Sequence, residues 1–369
     1  MNASIARLFA GLFLAFWLPG CSASADAASP SPRARSGSDS GTPSPSCNPD
    51  DTAFLCDGGV CPPAAPACGP GSASYPHASV RVTSSGTGVG TYALYEPDEP
   101  RPASAPVVAF VHGFALTDNR PAYDAFLRHL ARKGFVVVFP EYGFIGDLTG
   151  YVPTARRTLA DGLAALADGT HVSPDGRFGM VGHSLGGMLA LTLAATTTTA
   201  PAIPAPAVLV LAEPAGTTFD ALTGLDLSAP KLAGIAAGTK LLVIEAETSL
   251  TDANSASPDA WANTTTVRAA DKNWLVVHSD SHGAPALVSD HLGVQFDPAS
   301  NAPLDTIDFW GYFRPTEAAL DLVFGVASGG AYSPFCRDAS AECDPVRDMG
   351  RWSDGTPVRR IENAGDRGL

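Results

Sequence analysis

Apolar positions along this chain follow two rhythms that alternate with one another. Val80-Arg81-Val82 and Thr91-Tyr92-Ala93-Leu94-Tyr95 step between faces with period two, as paired antiparallel strands do. Pro106 to His112 is almost uninterruptedly apolar, as expected of a parallel strand covered on both faces. Tyr123 to Lys133 changes to helical spacing, with Phe126, Leu127 and Leu130 on one side, and Gly134 ends it. Phe135 to Phe139 reads as a second buried strand and Thr154 to Leu166 as a helix. Further strands are expected at Ala207 to Ala212, Lys240 to Glu245 and Asn273 to His278, with a last helix over about Thr316 to Phe324. Strands alternating with helices predict an α/β fold with a mostly parallel central sheet and helices on both faces.

One segment joins the two rhythms abruptly. Gly179-Met180-Val181 reads as a short strand, Gly182-His183-Ser184-Leu185-Gly186-Gly187 as a tight turn, and Met188 to about Ala195 as a helix. Gly182 to Gly186 fits G-x-S-x-G, in which a serine is held at the apex of a strand-to-helix turn. Glycines on either side are needed because a Cβ there would strike the neighbouring strand or helix. The turn lifts the hydroxyl off the sheet and points a helix N-terminus at it, which favours developing negative charge.

Composition narrows the remaining possibilities. The chain has 369 residues, 45% of them apolar, enough for one large core plus extensions. A net charge of −14 argues against a nucleic-acid partner, because nothing would neutralise phosphates. Arg7 followed by the apolar run Leu8 to Leu18 has the form of an export signal over residues 1–20. Leu18-Pro19-Gly20-Cys21 resembles a bacterial lipobox, which implies lipidation at Cys21, a membrane contact through that lipid alone and an outer-membrane destination; the alternative is ordinary signal-peptidase cleavage near Ala23 or Ala25 and a periplasmic or secreted protein. Residues 21–46 are Ser, Ala, Pro and Gly with a few charges, the composition of a flexible tether. Six cysteines remain beyond Cys21, an even number that implies disulfides in an exported chain. The simplest pairing joins Cys47, Cys56, Cys61 and Cys68 among themselves within a 47–71 segment, and Cys336 to Cys343 at the start of a 336–369 tail. The stretch 72–335 between them is the expected catalytic domain.

The order of strand, His112-Gly113-Phe114, helix, strand, Gly182-His183-Ser184-Leu185-Gly186-Gly187, later acids and then a histidine resembles the α/β-hydrolase superfamily over roughly residues 79 to 327. Within it, the chain is most similar to chlorophyllase-like and cutinase-like (polyester hydrolase) esterases and lipases. The resemblance implies a serine hydrolase that cleaves carboxylic esters of small or polymeric substrates and needs no cofactor or metal. It implies Ser184 as nucleophile, with a base within hydrogen-bond reach. It places the base on the loop after the last strand, where Ser279-Asp280-Ser281-His282-Gly283 puts His282 first and His291 next. Two acids end strands after the nucleophile. Glu213, in Leu211-Ala212-Glu213-Pro214-Ala215-Gly216, resembles the Asp-Pro-x-x-Gly segment of chlorophyllase-like enzymes; Glu247 stands where cutinase-like enzymes place their acid. Glu213 is the preferred acid and Glu247 the alternative, although both families usually carry aspartate. The oxyanion donors implied are the backbone N–H groups of Leu185 and Phe114. Two other readings stay open: a catalytically silent binding module on the same scaffold, and the same fold turned to amide, thioester or perhydrolysis chemistry.

Overall fold

A computed structural model describes residues 53–56, 58–114, 120–143, 150–217, 223, 225–295, 304–326, 332–337 and 343–364. The export-signal-like run, Cys21 and the 21–46 tether lie outside the described residues.

Nine strands form one sheet: β1 (Ser79–Ser84), β2 (Thr91–Asp98), β3 (Ser104–Val111), β4 (Val136–Glu141), β5 (Ser173–His183), β6 (Val208–Ala212), β7 (Lys240–Ala246), β8 (Lys272–Val277) and β9 (Glu362–Asn363). Their order is β1-β2-β4-β3-β5-β6-β7-β8-β9. The six strands from β4 to β8 in that order are mutually parallel, while β1, β2 and β9 are antiparallel additions at the two edges. The expected antiparallel start is present, with Val82 opposite Tyr95.

Side-chain alternation in the parallel strands feeds two cores. Val107, Ala109, Met180, Leu209, Leu211 and Val243 face one side, and Val108, Phe110, Val181, Val210, Leu242 and Ile244 face the other. Both sets are buried, which is why these strands read as unbroken apolar runs. Among the described residues, four helices longer than ten residues cover the faces: α1 (Arg120–Arg132), α2 (Tyr151–Ala165), α3 (Leu185–Ala195) and α4 (Arg314–Phe324). Tyr151, Ala155 and Leu159 of α2 share a core with Leu189 and Leu193 of α3. Phe126, Leu127 and Leu130 of α1 meet Ala319, Leu320 and Phe324 of α4 on the opposite face. Each such large side chain contributes about 1.5–3 kcal/mol on burial. A π-helical turn, Ile307–Phe313, leads directly into α4.

Residues 343–364, within the 336–369 stretch expected as a tail, are built into the domain. Val346, Met349, Trp352, Val358 and Ile361 are core residues, and β9 pairs Asn363 with Leu275 of β8. The Cys-rich segment docks in the same way: Trp310 Nε1 donates to the Ala64 carbonyl (2.6 Å) and the Gly71 N–H donates to Glu317 (2.7 Å). Cys56 pairs with Cys61 and Cys336 with Cys343, and Cys68 is also disulfide-bonded; Cys47 is outside the described residues. These bridges fit an oxidising, exported environment. Among the described residues, no helix is long and apolar enough to cross a membrane.

Candidate active site

The parallel strands β3, β5, β6, β7 and β8 all run the same way, so their C-terminal ends share one edge of the sheet. His112-Gly113-Phe114, Ser184, Glu213, Glu247 and the loop after β8 all follow those ends. This is where open parallel sheets gather their ligands.

Ser184 joins β5 to α3 with φ 56° and ψ −128°, a conformation that L-residues rarely adopt. The turn closes by two backbone bonds, from Ser184 N–H to the Ala212 carbonyl (3.1 Å) and from Gly187 N–H to the Ser184 carbonyl (2.8 Å). A Cβ at Gly182 would strike the Gly186 carbonyl, and one at Gly186 would strike the carbonyl oxygens of Val111 and His112. Those obstacles are backbone and cannot swing aside. Gly186→Ala is therefore expected to destabilise the fold by about 3 kcal/mol or more, read as a lowered melting temperature or loss of soluble protein.

His291, the second histidine candidate in the sequence, is the one that meets the serine: its Nε2 lies 2.9 Å from Ser184 Oγ. His282 is elsewhere. A two-residue bridge pairs Asp280 with Leu287, so residues 281–286 form an excursion away from the sheet edge. At the tip of that excursion His282 Nε2 is 2.8 Å from Asp354, and its ring lies 5.7 Å from that of Trp352. After Leu287 the chain returns and delivers His291. The expectation that His282 faces Ser184 is thus corrected by a fold-back that depends on Trp352 and Asp354, some seventy residues further on.

Glu213 and Glu247 also separate. Glu213 is 1% exposed and has φ 52°. One carboxylate oxygen, Oε1, accepts from the Tyr312 hydroxyl (2.5 Å) and from Ala246 N–H. The other, Oε2, lies 3.9 Å from His291 Nδ1. Glu247 accepts instead from Ser279 N–H (3.1 Å) and lies 2.7 Å from His278 Nδ1 and 3.2 Å from Arg359 Nη1. It braces the root of the β8 loop.

Electrostatics follow from burial. Desolvation pushes the Glu213 carboxyl up to about 8, against the hydrogen bonds from Tyr312 and Ser249 that favour its charge. Desolvation also holds His291 below the ordinary imidazole value. His183, beside the nucleophile, is driven to about 3 and so stays neutral.

A hydrogen-bonded hub ties these loops together. The buried Tyr123 hydroxyl receives Gly113 N–H (2.9 Å) and Gln295 Nε2–H (2.9 Å) and lies 2.7 Å from His183 Nδ1. With the hydroxyl donating to Nδ1, neutral His183 carries its proton on Nε2, which donates to the His291 carbonyl (2.9 Å). One phenol thereby couples the His112–Phe114 loop, the serine turn and the histidine loop. Neither Tyr123 nor Tyr312 carries a sequence signal of this role; both sit in apolar helical runs. His112 stacks on Tyr142 (4.1 Å between rings), with its Nε2 3.0 Å from Glu141.

Leu185 opens α3 directly after Ser184, where first-turn N–H groups have no intrahelical acceptor. Phe114 follows Gly113, whose own Cβ position would be 3.1 Å from Ser184 Cβ, and is half-buried against the core.

A family model described as "Alpha/beta hydrolase family" matches residues 108–363. The chain belongs to the alpha/beta hydrolase family. That span includes every strand from β4 to β9, the serine turn and both candidate histidines. Comparison of this alpha/beta hydrolase with curated proteins finds no match. Among solved structures it is similar to esterase B from Lactobacillus rhamnosis inhibited by a C4-C4 SN3 tributyrin phosphonate, at 18% identity and a TM-score of 0.42, covering 55% of this chain and 75% of that one. At that level the likeness says nothing about substrate.

Proposed function

We propose that this alpha/beta hydrolase is an exported serine esterase that works through an acyl-enzyme on Ser184. The observation that carries the reading is the 2.9 Å approach of His291 Nε2 to a serine oxygen held on a strained turn. In the proposed cycle, Ser184 Oγ attacks the ester carbonyl while His291 Nε2 takes the hydroxyl proton. Negative charge on the carbonyl oxygen is met by the N–H groups of Leu185 and Phe114. His291 then returns its proton to the leaving alcohol. Water repeats the sequence on the acyl-enzyme, releasing the acid and restoring Ser184. Glu213 Oε2 faces Nδ1 and stabilises the imidazolium formed in each half. Export rests on the signal-like N-terminus and the disulfides, and lipidation of Cys21 is proposed as the surface anchor.

Treatment of the mature protein with a fluorophosphonate, followed by peptide mass spectrometry, tests the reading. An adduct on Ser184 that disappears in Ser184→Ala is expected. A folded protein that acquires no adduct and hydrolyses no ester would refute it.

The hub makes a separate prediction. Tyr123→Phe keeps the ring but leaves Gly113 N–H and His183 Nδ1 without their partner. We expect kcat to fall about 10- to 100-fold as the three loops lose register, with a stability loss of about 1–3 kcal/mol. Steady-state kinetics beside a thermal melt would check both; an unchanged kcat would show that the hub only holds the fold.

A further inference from the structure

Arg314, the first residue of α4, is 5% exposed and stands at the wall of a pocket of about 340 Å³ that includes none of Ser184, His291 or Glu213. Phe54 of the Cys-rich segment, Trp310 of the π-helical turn, and Tyr332, Arg351 and Trp352 complete its main walls. The volume falls within the range of small-molecule sites, roughly 300–1,000 Å³.

The guanidinium is held with a donor to spare. It lies over the Trp310 ring (4.6 Å to the centroid) and near the Tyr332 ring (5.4 Å). Nη1 donates to the Asp348 backbone carbonyl (3.2 Å) and Tyr332 is a second hydrogen-bond partner, while buried Nε has no hydrogen-bond partner among the described residues. The nearby carboxylates, which attract it, also have other partners. Glu317 takes Gly71 N–H, His129 and Lys133, and the Asp348 carboxylate accepts from Gly350 N–H. Arg351, the other cation of the wall, turns a guanidinium nitrogen to the Gly355 carbonyl. Asp348 also lines the pocket and attracts the guanidinium, yet Arg314 and Arg351 against Asp348 leave these walls one positive charge in excess, and a desolvated guanidinium nitrogen without an acceptor is costly.

We propose that this pocket binds an aromatic carboxylate, with the carboxylate on Arg314 and the ring between the aromatic walls. The planar guanidinium fork matches a carboxylate in geometry, and walls one positive charge in excess match a single negative charge. Walls of Phe54, Trp310 and Trp352 select a flat apolar body over a hydrated anion such as phosphate. This assignment does not rest on the esterase reading, since no residue of the Ser184 cluster takes part.

Calorimetric titration of the mature full-length protein with benzoate tests it, with benzyl alcohol and inorganic phosphate as comparators. One saturable site with a Kd of about 10–1,000 μM is expected, with both comparators at least about tenfold weaker. Arg314→Met should abolish binding. Because Arg314 is buried, Phe54→Ala supplies a second variant: Phe54 is 45% exposed, so the fold should tolerate the change while benzoate binds about three- to tenfold more weakly. Absence of saturable binding would overturn the proposal. So would phosphate binding as tightly as benzoate, or benzoate affinity unchanged in Phe54→Ala.

Discussion

His291→Ala is expected to lower kcat for ester hydrolysis by about 10⁴- to 10⁶-fold, whereas His282→Ala should leave it within about threefold. The contrast follows from position. His291 Nε2 is at hydrogen-bond distance from Ser184 Oγ, while His282 is spent on Asp354 at the edge of the domain. Removing His291 leaves the serine without a base; removing His282 frees an exposed contact between a loop tip and the C-terminal segment. Single-turnover kinetics on the two variants, with circular dichroism to verify folding, would separate them. Comparable losses in both would mean that the loop after β8 rearranges before catalysis.

Glu213→Gln is expected to cost about 10³- to 10⁴-fold in kcat and, at the same time, to make the protein more stable at alkaline pH. The amide oxygen can still accept from Ala246 N–H and Tyr312, so packing is kept while the charge facing His291 is lost. The sign of the stability effect comes from the raised value of about 8 for the folded carboxyl, set by burial, against 4.5 in an open chain. Between those values the folded state holds a proton that the unfolded state has lost. The associated stability is therefore complete below about pH 4.5 and is lost as pH rises through about 8. Glutamine has no proton to lose, so its advantage should grow to about 3–5 kcal/mol by pH 9. Activity should run the other way in the parent enzyme, with kcat/KM climbing as Glu213 ionises and levelling above about pH 8. Melting curves and pH–rate profiles of parent and variant decide this; a flat parent profile between pH 6 and 9 would count against it. Glu247→Gln, by contrast, should change stability through the lost His278 and Arg359 contacts and leave the profile in place.

The sequence makes some of this plain and hides the rest for physical reasons. The parallel strands are legible because both faces of each are buried, which leaves an apolar run that no surface strand shows. The serine turn is legible because its geometry is a local demand on backbone: Gly182 and Gly186 must lack a Cβ wherever the turn occurs. Glu213 is legible as an acid at a strand end, but Glu247 satisfies the same rule, and only the third dimension shows which one lies beside His291. The histidine is harder still. His282 and His291 follow the same strand, and what divides them is the Asp280–Leu287 bridge, fixed by Trp352 and Arg359 through their bonds to Asp280. Those partners are remote in sequence, so no local spacing carries the information. β9 is missed for a similar reason, being two residues long and defined only by its neighbour. Tyr123 and Tyr312 have side chains that look like ordinary core until the hydroxyl's partners are seen.

The backbone at position 184 also limits which nucleophiles this protein can acquire by mutation. At φ 56° a branched Cβ crowds the preceding carbonyl, so threonine, one methyl larger, is closed to it. Cysteine keeps the unbranched Cβ and exchanges one atom for another, so the turn can accept it without moving. A single substitution could thus replace oxygen by sulfur at the reacting centre while leaving the supporting loops untouched. A thiol nucleophile on the same scaffold therefore lies one substitution away.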